Sequence, residues 1–227
     1  MNTIKPLYIL LIYLFTIPGC GPQEQQSQQG EVTTSAVERT IKEERKTILF
    51  FGNSLTAGYG IDEDEAFPGL IQNKIDSLEL PYKVINGGLS GETSASGINR
   101  LEWFLEEEPS IFVLELGGND GLRGIAVEET RKNLETMIEM VRKKYPDTRI
   151  LLAGMQIPPN MGREYAANFE LMYKEIAVEK NVKLIPFLLE GVGGVRGLNL
   201  PDGIHPTEEG HRIVAETVWE YLEPMIN

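Results

Sequence analysis

The chain has 227 residues, a formal net charge of −13, 41% hydrophobic residues and a single cysteine, Cys20. So large an excess of acid excludes nucleic acid or an anionic membrane surface as an electrostatic partner, and says little about a neutral substrate. One cysteine cannot form an internal disulfide, so the fold must rest on packing. In chain order, Met1 to Pro6 carries one lysine, Lys5, and Leu7 to Ile17 is an almost unbroken apolar run. That run is too short to span a bilayer as an ordinary helix and suits the h-region of a secretory signal.

Pro18, Gly19 and Cys20 close the run. This ending resembles the lipobox of bacterial lipoproteins, which implies that residues 1–19 are a signal peptide and that Cys20 is the lipid attachment and mature N-terminus. Gly21 follows, without the aspartate that resembles an inner-membrane retention signal, so the expected location is the outer membrane, facing the periplasm. Residues 20–45 are rich in Gln, Glu and Ser and nearly free of large apolar side chains. Such a segment cannot bury enough surface to order itself and reads as a flexible tether. Residues 46–227 suffice for one domain with a sizeable core.

Within that domain, strand-like runs alternate with helical patterns. The runs at 47–51, 82–86, 111–116, 149–154 and 182–187 are short and apolar or β-branched. Between them, Phe67, Leu70, Ile71, Ile75 and Leu78 recur at helical spacing, as do Leu134, Met137, Ile138 and Val141 in 127–144. The same spacing predicts helices over 164–180 and 208–222, the last with Ile213, Val214, Thr217, Val218, Tyr221 and Leu222 on one side. Five strands alternating with helices predict an α/β fold with a five-stranded parallel sheet covered on both faces. Ligands in such folds bind beyond the carboxyl ends of the strands.

The segments that follow the strands therefore deserve the search for chemistry. Gly52-Asn53-Ser54-Leu55 follows the first, residues 87–97 (GGLSGETSASG) the second and 117–124 (GGNDGLRG) the third. Residues 202–211 (DGIHPTEEGH) lead into the last helix. Taken singly, each reads as a turn, a Gly/Ser loop or a helix cap. Taken together at one rim, they supply a nucleophile and its partners. Ser54 is a weak nucleophile at neutral pH and needs His205 as base, with Asp202 to hold the imidazole in the right tautomer. Charge developing on the substrate oxygen needs fixed donors, and the N–H of Ser54, the N–H of Gly91 and the amide of Asn119 are the candidates. The loops 155–163 and 188–200 are apolar and small, and are expected to wall an acyl pocket.

The second histidine, His211, lies in the first turns of the last helix and is expected to be solvated. Two histidines and no cysteine in the domain leave too few ligands for zinc, and neither a calcium loop nor a phosphate-binding glycine loop occurs. No metal and no cofactor are therefore expected.

At these four segments the chain resembles the SGNH hydrolases, the GDSL-type esterase and lipase superfamily, over essentially the whole domain. Residues 115–124 (ELGGNDGLRG) bring it nearest to the acyl-CoA thioesterase I, lysophospholipase L1 and arylesterase group. The resemblance implies a flavodoxin-like three-layer α/β/α sandwich. It also implies Ser54, Asp202 and His205 as the catalytic residues, and Ser54, Gly91 and Asn119 as the oxyanion hole. One position departs from the pattern: Asn53 stands where the usual block has Asp, and activity is expected to survive because Asp202 is the acid. The expected function is hydrolysis of acyl esters, thioesters or lysophospholipids through an acyl-serine intermediate, by a protein expected to be monomeric. A carbohydrate O-acetyl esterase with the same residues, and a non-catalytic lipid- or glycan-binding lipoprotein, are the alternatives.

Overall fold

A computed structural model describes residues 45–226. The expectations for residues 1–19, for Cys20 and for the tether up to residue 44 lie outside the described residues.

Strands β1 (Lys46–Gly52), β2 (Tyr82–Gly88), β3 (Ile111–Glu115), β4 (Arg149–Ala153) and β5 (Lys183–Ile185) form one parallel sheet in the order β2-β1-β3-β4-β5. All five predicted strands are present, with ends shifted by one or two residues. Among the described residues seven α-helices accompany them: α1 (Ser54–Ala57), α2 (Phe67–Ser77), α3 (Ser94–Phe104), α4 (Gly118–Leu122), α5 (Val127–Lys144), α6 (Arg163–Glu179) and α7 (Glu208–Ile226). Helix α2 packs against α7, while α3, α5 and α6 form a second layer, α3 on α5 and α5 on α6. Right-handed crossovers require these groups to cover opposite faces, because the strand order reverses direction after β2. The result is the expected α/β/α sandwich.

Burial on both faces explains why the strands read as continuous apolar runs. Ile48 to Phe51 and Ile111 to Leu114 are each no more than 1% exposed, and Phe50 meets the edge of Phe67 while Phe51 meets Phe104. Helix α3 was not legible, because its first residues fall in the Gly/Ser stretch 87–97. Its start is set by chemistry: Thr93 and Ser96 form a capping box, and the Asp120 carboxylate accepts the Ser94 N–H at 2.9 Å. Helix α7 runs past the expected end at 222, and its buried stripe keeps Val214, Val218 and Leu222 but takes His211, Ala215 and Trp219 in place of Ile213, Thr217 and Tyr221.

The reversal of strand order falls between β1 and β3. It opens a crevice at the carboxyl ends of these two strands, where ligands settle in open α/β sheets.

Candidate active site

Strand β1 leads directly into the crevice. A Cβ at Gly52 would lie 2.1 Å from Thr56 Oγ1 and 2.6 Å from Glu115 Oε2, so only glycine lets the strand end here. Asn53 then leaves the extended conformation and accepts the Leu55 N–H at 3.0 Å, capping α1. That cap puts Ser54 at the first helical position. Its Oγ lies 2.9 Å from His205 Nε2 and 3.3 Å from Asn53 Oδ1.

His205 comes from the loop before α7, 151 residues away in sequence. Its Nδ1 pairs with Asp202 Oδ2 at 2.7 Å, and Asp202 Oδ1 accepts the N–H groups of Ile204 and His205 at 2.9 and 3.1 Å. The hydrogen bond with His205, helped by these N–H donors, holds the Asp202 carboxyl down at about 2. Asp202 is thus a carboxylate across the working range, able to keep the Nδ1 proton on His205. The ring of Tyr59, half exposed, lies 4.5 Å from that of His205, centroid to centroid.

Strand β3 delivers the third part. Gly117 turns the chain at φ +107°, and a Cβ there would lie 2.2 Å from Tyr173 Oη, so α4 can begin immediately and carry Asn119 to the rim. Asn119 Nδ2 donates to Glu92 O at 3.0 Å with one of its two hydrogens. Gly91, next to Glu92 in the chain, has φ +79°, and its carbonyl accepts from Arg123 Nη2 at 3.0 Å. Among the described residues, neither the Ser54 N–H nor the Gly91 N–H donates to a protein acceptor. Both remain available to a ligand oxygen.

Under these groups lie three buried carboxyls. Glu115 accepts Asn53 Nδ2 at 2.7 Å, Thr56 Oγ1 at 2.8 Å and Asn53 N at 3.1 Å. Burial pushes this carboxyl up to about 7 against the pull of those donors. Glu92 is held by Arg100, whose Nε donates at 2.8 Å and whose Nη2 bonds both Glu92 Oε2 and, at 2.7 Å, Gly87 O. The guanidinium lies 4.4 Å over the Phe51 ring and 4.9 Å over Phe104. Asp120 accepts from Ser94 N and, at 2.5 Å, from Ser94 Oγ, locking α4 to the start of α3.

A cavity of about 460 Å³ opens beside Ser54, Asn119 and His205. Its walls include Leu122, Met155, Ile157, Pro158, Phe187 and Leu189, drawn largely from the two loops expected to line a pocket. Asp202 and Gly91 do not line it: Asp202 stands behind His205, and Gly91 sits on the neighbouring turn.

One expectation is corrected. His211 is not solvated; it is 1% exposed, its Nδ1 accepts the Phe67 N–H at 3.2 Å, and its ring stacks on Phe67. The residue heads the buried stripe of α7 and satisfies an orphan donor at the start of α2. Burial pushes its pKa down to about 4. Sequence reasoning also missed Glu115, Glu92, Arg100 and Tyr59. A glutamate inside the apolar run 111–116 was the available signal for the first; the pairing of Glu92 with Arg100 has none at the level of sequence.

Comparison with known proteins agrees with this fold. The sequence model of the GDSL-like Lipase/Acylhydrolase family matches residues 50–213. Esterase TesA of Pseudomonas aeruginosa is 40% identical over 182 residues, covering 80% of this chain and 90% of that protein. Thioesterase 1/protease 1/lysophospholipase L1 of Escherichia coli is 35% identical over 182 residues, covering 80% of this chain and 85% of its own length. A crystal structure of TesA superposes with a TM-score of 0.76 at 40% identity, over 79% of this chain and 99% of that one. By that family match, these relatives and the shared fold, the chain belongs to the GDSL-like lipase/acylhydrolase family and is a carboxylic ester hydrolase.

Proposed function

We propose that the protein hydrolyses acyl esters, including thioesters and lysophospholipids, by an acyl-serine mechanism in which Ser54, His205 and Asp202 are the catalytic residues. The observation that carries this reading is the unbroken line from Ser54 Oγ through His205 to Asp202, at 2.9 and 2.7 Å, beside an apolar cavity.

In the first half-reaction His205 Nε2 takes the Ser54 proton as Oγ attacks the acyl carbonyl carbon. Asp202 stabilises the imidazolium that forms. The carbonyl oxygen becomes an oxyanion, met by the free N–H groups of Ser54 and Gly91 and the second amide hydrogen of Asn119. Collapse breaks the bond to the leaving alcohol or thiol, which takes the proton from His205. Water then attacks the acyl-serine with His205 again as base, releasing the carboxylic acid and restoring Ser54. The names of the relatives in P. aeruginosa and E. coli support the substrate classes, and the apolar walls support an acyl chain over a bare acetyl group.

Lipid anchoring belongs to the same proposal. Cys20 is the anchor and places the domain outside the cytoplasm, at the outer membrane; the apolar run at 7–17 ending at Cys20 supports this. Among the described residues no helix is long and apolar enough to cross a membrane. Cys20→Ser should move the protein from the membrane fraction to the soluble one, and unchanged fractionation would remove the anchor.

The activity itself is tested on p-nitrophenyl esters from acetyl to palmitoyl. Ser54→Ala and His205→Ala are each expected to cost ~10⁴–10⁶ in turnover, because the two act as one unit. Variants as active as the parent would overturn the mechanism.

A further inference from the structure

The residue that departs from the family's usual motif is also the one with the most informative partners. Asn53 touches the nucleophile on one side and the fully buried Glu115 on the other. All three contacts of Glu115 come from donors: Asn53 Nδ2, Asn53 N and Thr56 Oγ1. When ionised, Glu115 can only accept, and such a partner dictates which way an amide lies. Nδ2 faces Glu115, so Oδ1 faces the Leu55 N–H at 3.0 Å and Ser54 Oγ at 3.3 Å.

The usual aspartate at this position would face Glu115 acceptor to acceptor, at a spacing that here measures 2.7 Å. Two carboxyls that close cannot both ionise and would have to share a proton. The amide removes that requirement. We propose that Asn53 and Glu115 are a positioning pair of fixed polarity, amide donor on β1 and carboxylate acceptor on β3, which holds the Ser54 turn without a shared proton. The inference rests on Ser54 being the nucleophile.

The surroundings leave the carboxylate to these donors. From α6 the Tyr173 hydroxyl faces β3 but donates to Leu116 O at 2.9 Å. Asp120 on α4 is occupied by Ser94, and Arg100, paired with Glu92, reaches this end of β1 at Gly52 O, at 3.5 Å, and over the Phe51 ring, without touching Glu115. His205 stands across Ser54 and is paired with Asp202. No cation bridges Glu115 among the described residues, so Asn53 and Thr56 carry the compensation.

The polarity can be reversed without changing shape. In Asn53→Asp with Glu115→Gln, the new amide can donate to the new carboxylate while its oxygen still accepts from the residue 53 N–H and from Thr56. The experiment measures kcat on a p-nitrophenyl ester from pH 6 to 10, with urea midpoints, for the parent, both single variants and the double variant. Asn53→Asp alone should follow the parent in acid and fall behind as pH rises, by about tenfold at the alkaline end, as the shared proton is lost. Glu115→Gln alone should lose about tenfold across the range, because one buried donor is left without an acceptor. The double variant should return to within about threefold of the parent, with the parent's pH profile. An Asn53→Asp profile that tracks the parent, or a double variant as poor as the product of the singles, would overturn the pair. Labelling of the parent at Ser54 by an organophosphonate separates the two readings: if Ser54 is not labelled the nucleophile assignment falls, while rescue of the urea midpoint still decides whether the pair exists.

Discussion

On the side of β1 and β3, the carboxyls beneath Ser54 are buried and bound by neighbouring donors or by Arg100, whereas the opposite side of the crevice is apolar and far more open. Glu115, Glu92 and Asp120 are at most 3% exposed, while the Asp202 side chain is 37% exposed and the cavity beyond it is walled by Leu, Met, Ile, Pro and Phe. The difference separates two tasks. In the proposed mechanism, stabilising an oxyanion needs donors that do not reorganise during the reaction, and a fixed polar lattice suits that. Holding acyl chains asks only for apolar surface of adequate size, which tolerates change.

The comparison breaks first, and hardest, at Arg100. Arg100→Met leaves Glu92 buried without its partner and unties Gly87 O from the loop that carries Gly91. Losing one member of a buried pair typically costs about 3–5 kcal/mol, read as a drop in the urea-extrapolated unfolding free energy. A loss below about 1 kcal/mol would mean the polar side is less rigid than its bonds imply. Next in size, Asn119→Ala should lower kcat ~10²–10³-fold, the usual cost of one oxyanion donor, with the fold retained. A fall confined to KM would instead place Asn119 in ground-state binding.

How much of this was visible in the sequence follows the same division. The strands, four of the long helices and the gathering of Ser54, Asn119, Asp202 and His205 at one rim were legible, because hydrophobic periodicity and post-strand position are local signals. The loops lining the cavity were legible by composition. The buried lattice was not: Glu92 and Arg100 are eight residues apart and meet only because α3 turns back over β2, and Glu115 finds Asn53 across 62 residues. His211 was within reach of the same signal: it lies three, seven and eleven residues before Val214, Val218 and Leu222, on the face the expected stripe marks as buried, and only the polar character of the residue type argued for solvent.

A third effect is of similar free energy but shows only as a change of slope with pH. Burial raises Glu115 from its ordinary 4.5 to about 7, so its contribution to stability is full below pH 4.5 and is lost as pH rises through about 7. Burial lowers His211 from 6.5 to about 4, so its contribution is full above pH 6.5 and is lost as pH falls towards 4. Each is worth about 3 kcal/mol, and over the shared window the two oppose each other. The parent should therefore show a nearly flat contribution from this pair between about pH 4.5 and 6.5. Glu115→Gln should expose a rise in stability with pH across that window, and His211→Gln a fall. Urea midpoints at three pH values would decide it, and parallel curves for all three proteins would remove both assignments.

The smallest expected effect tests whether the two sides are independent at all. Leu122 closes α4, the helix that carries Asn119, yet its half-exposed side chain lines the apolar cavity. Leu122→Ala removes apolar contact without touching a polar bond, so kcat/KM for long-chain p-nitrophenyl esters should fall by about tenfold, or about 1.4 kcal/mol. The acetyl ester, too short to need that wall, should stay within about twofold. An equal loss on both esters would mean that truncating the wall disturbs Asn119 through their common helix, so that chain recognition and oxyanion binding are coupled. A loss on the long esters only would show that α4 keeps its polar face fixed by Asp120 and Ser94 while its other face is free to vary with the substrate.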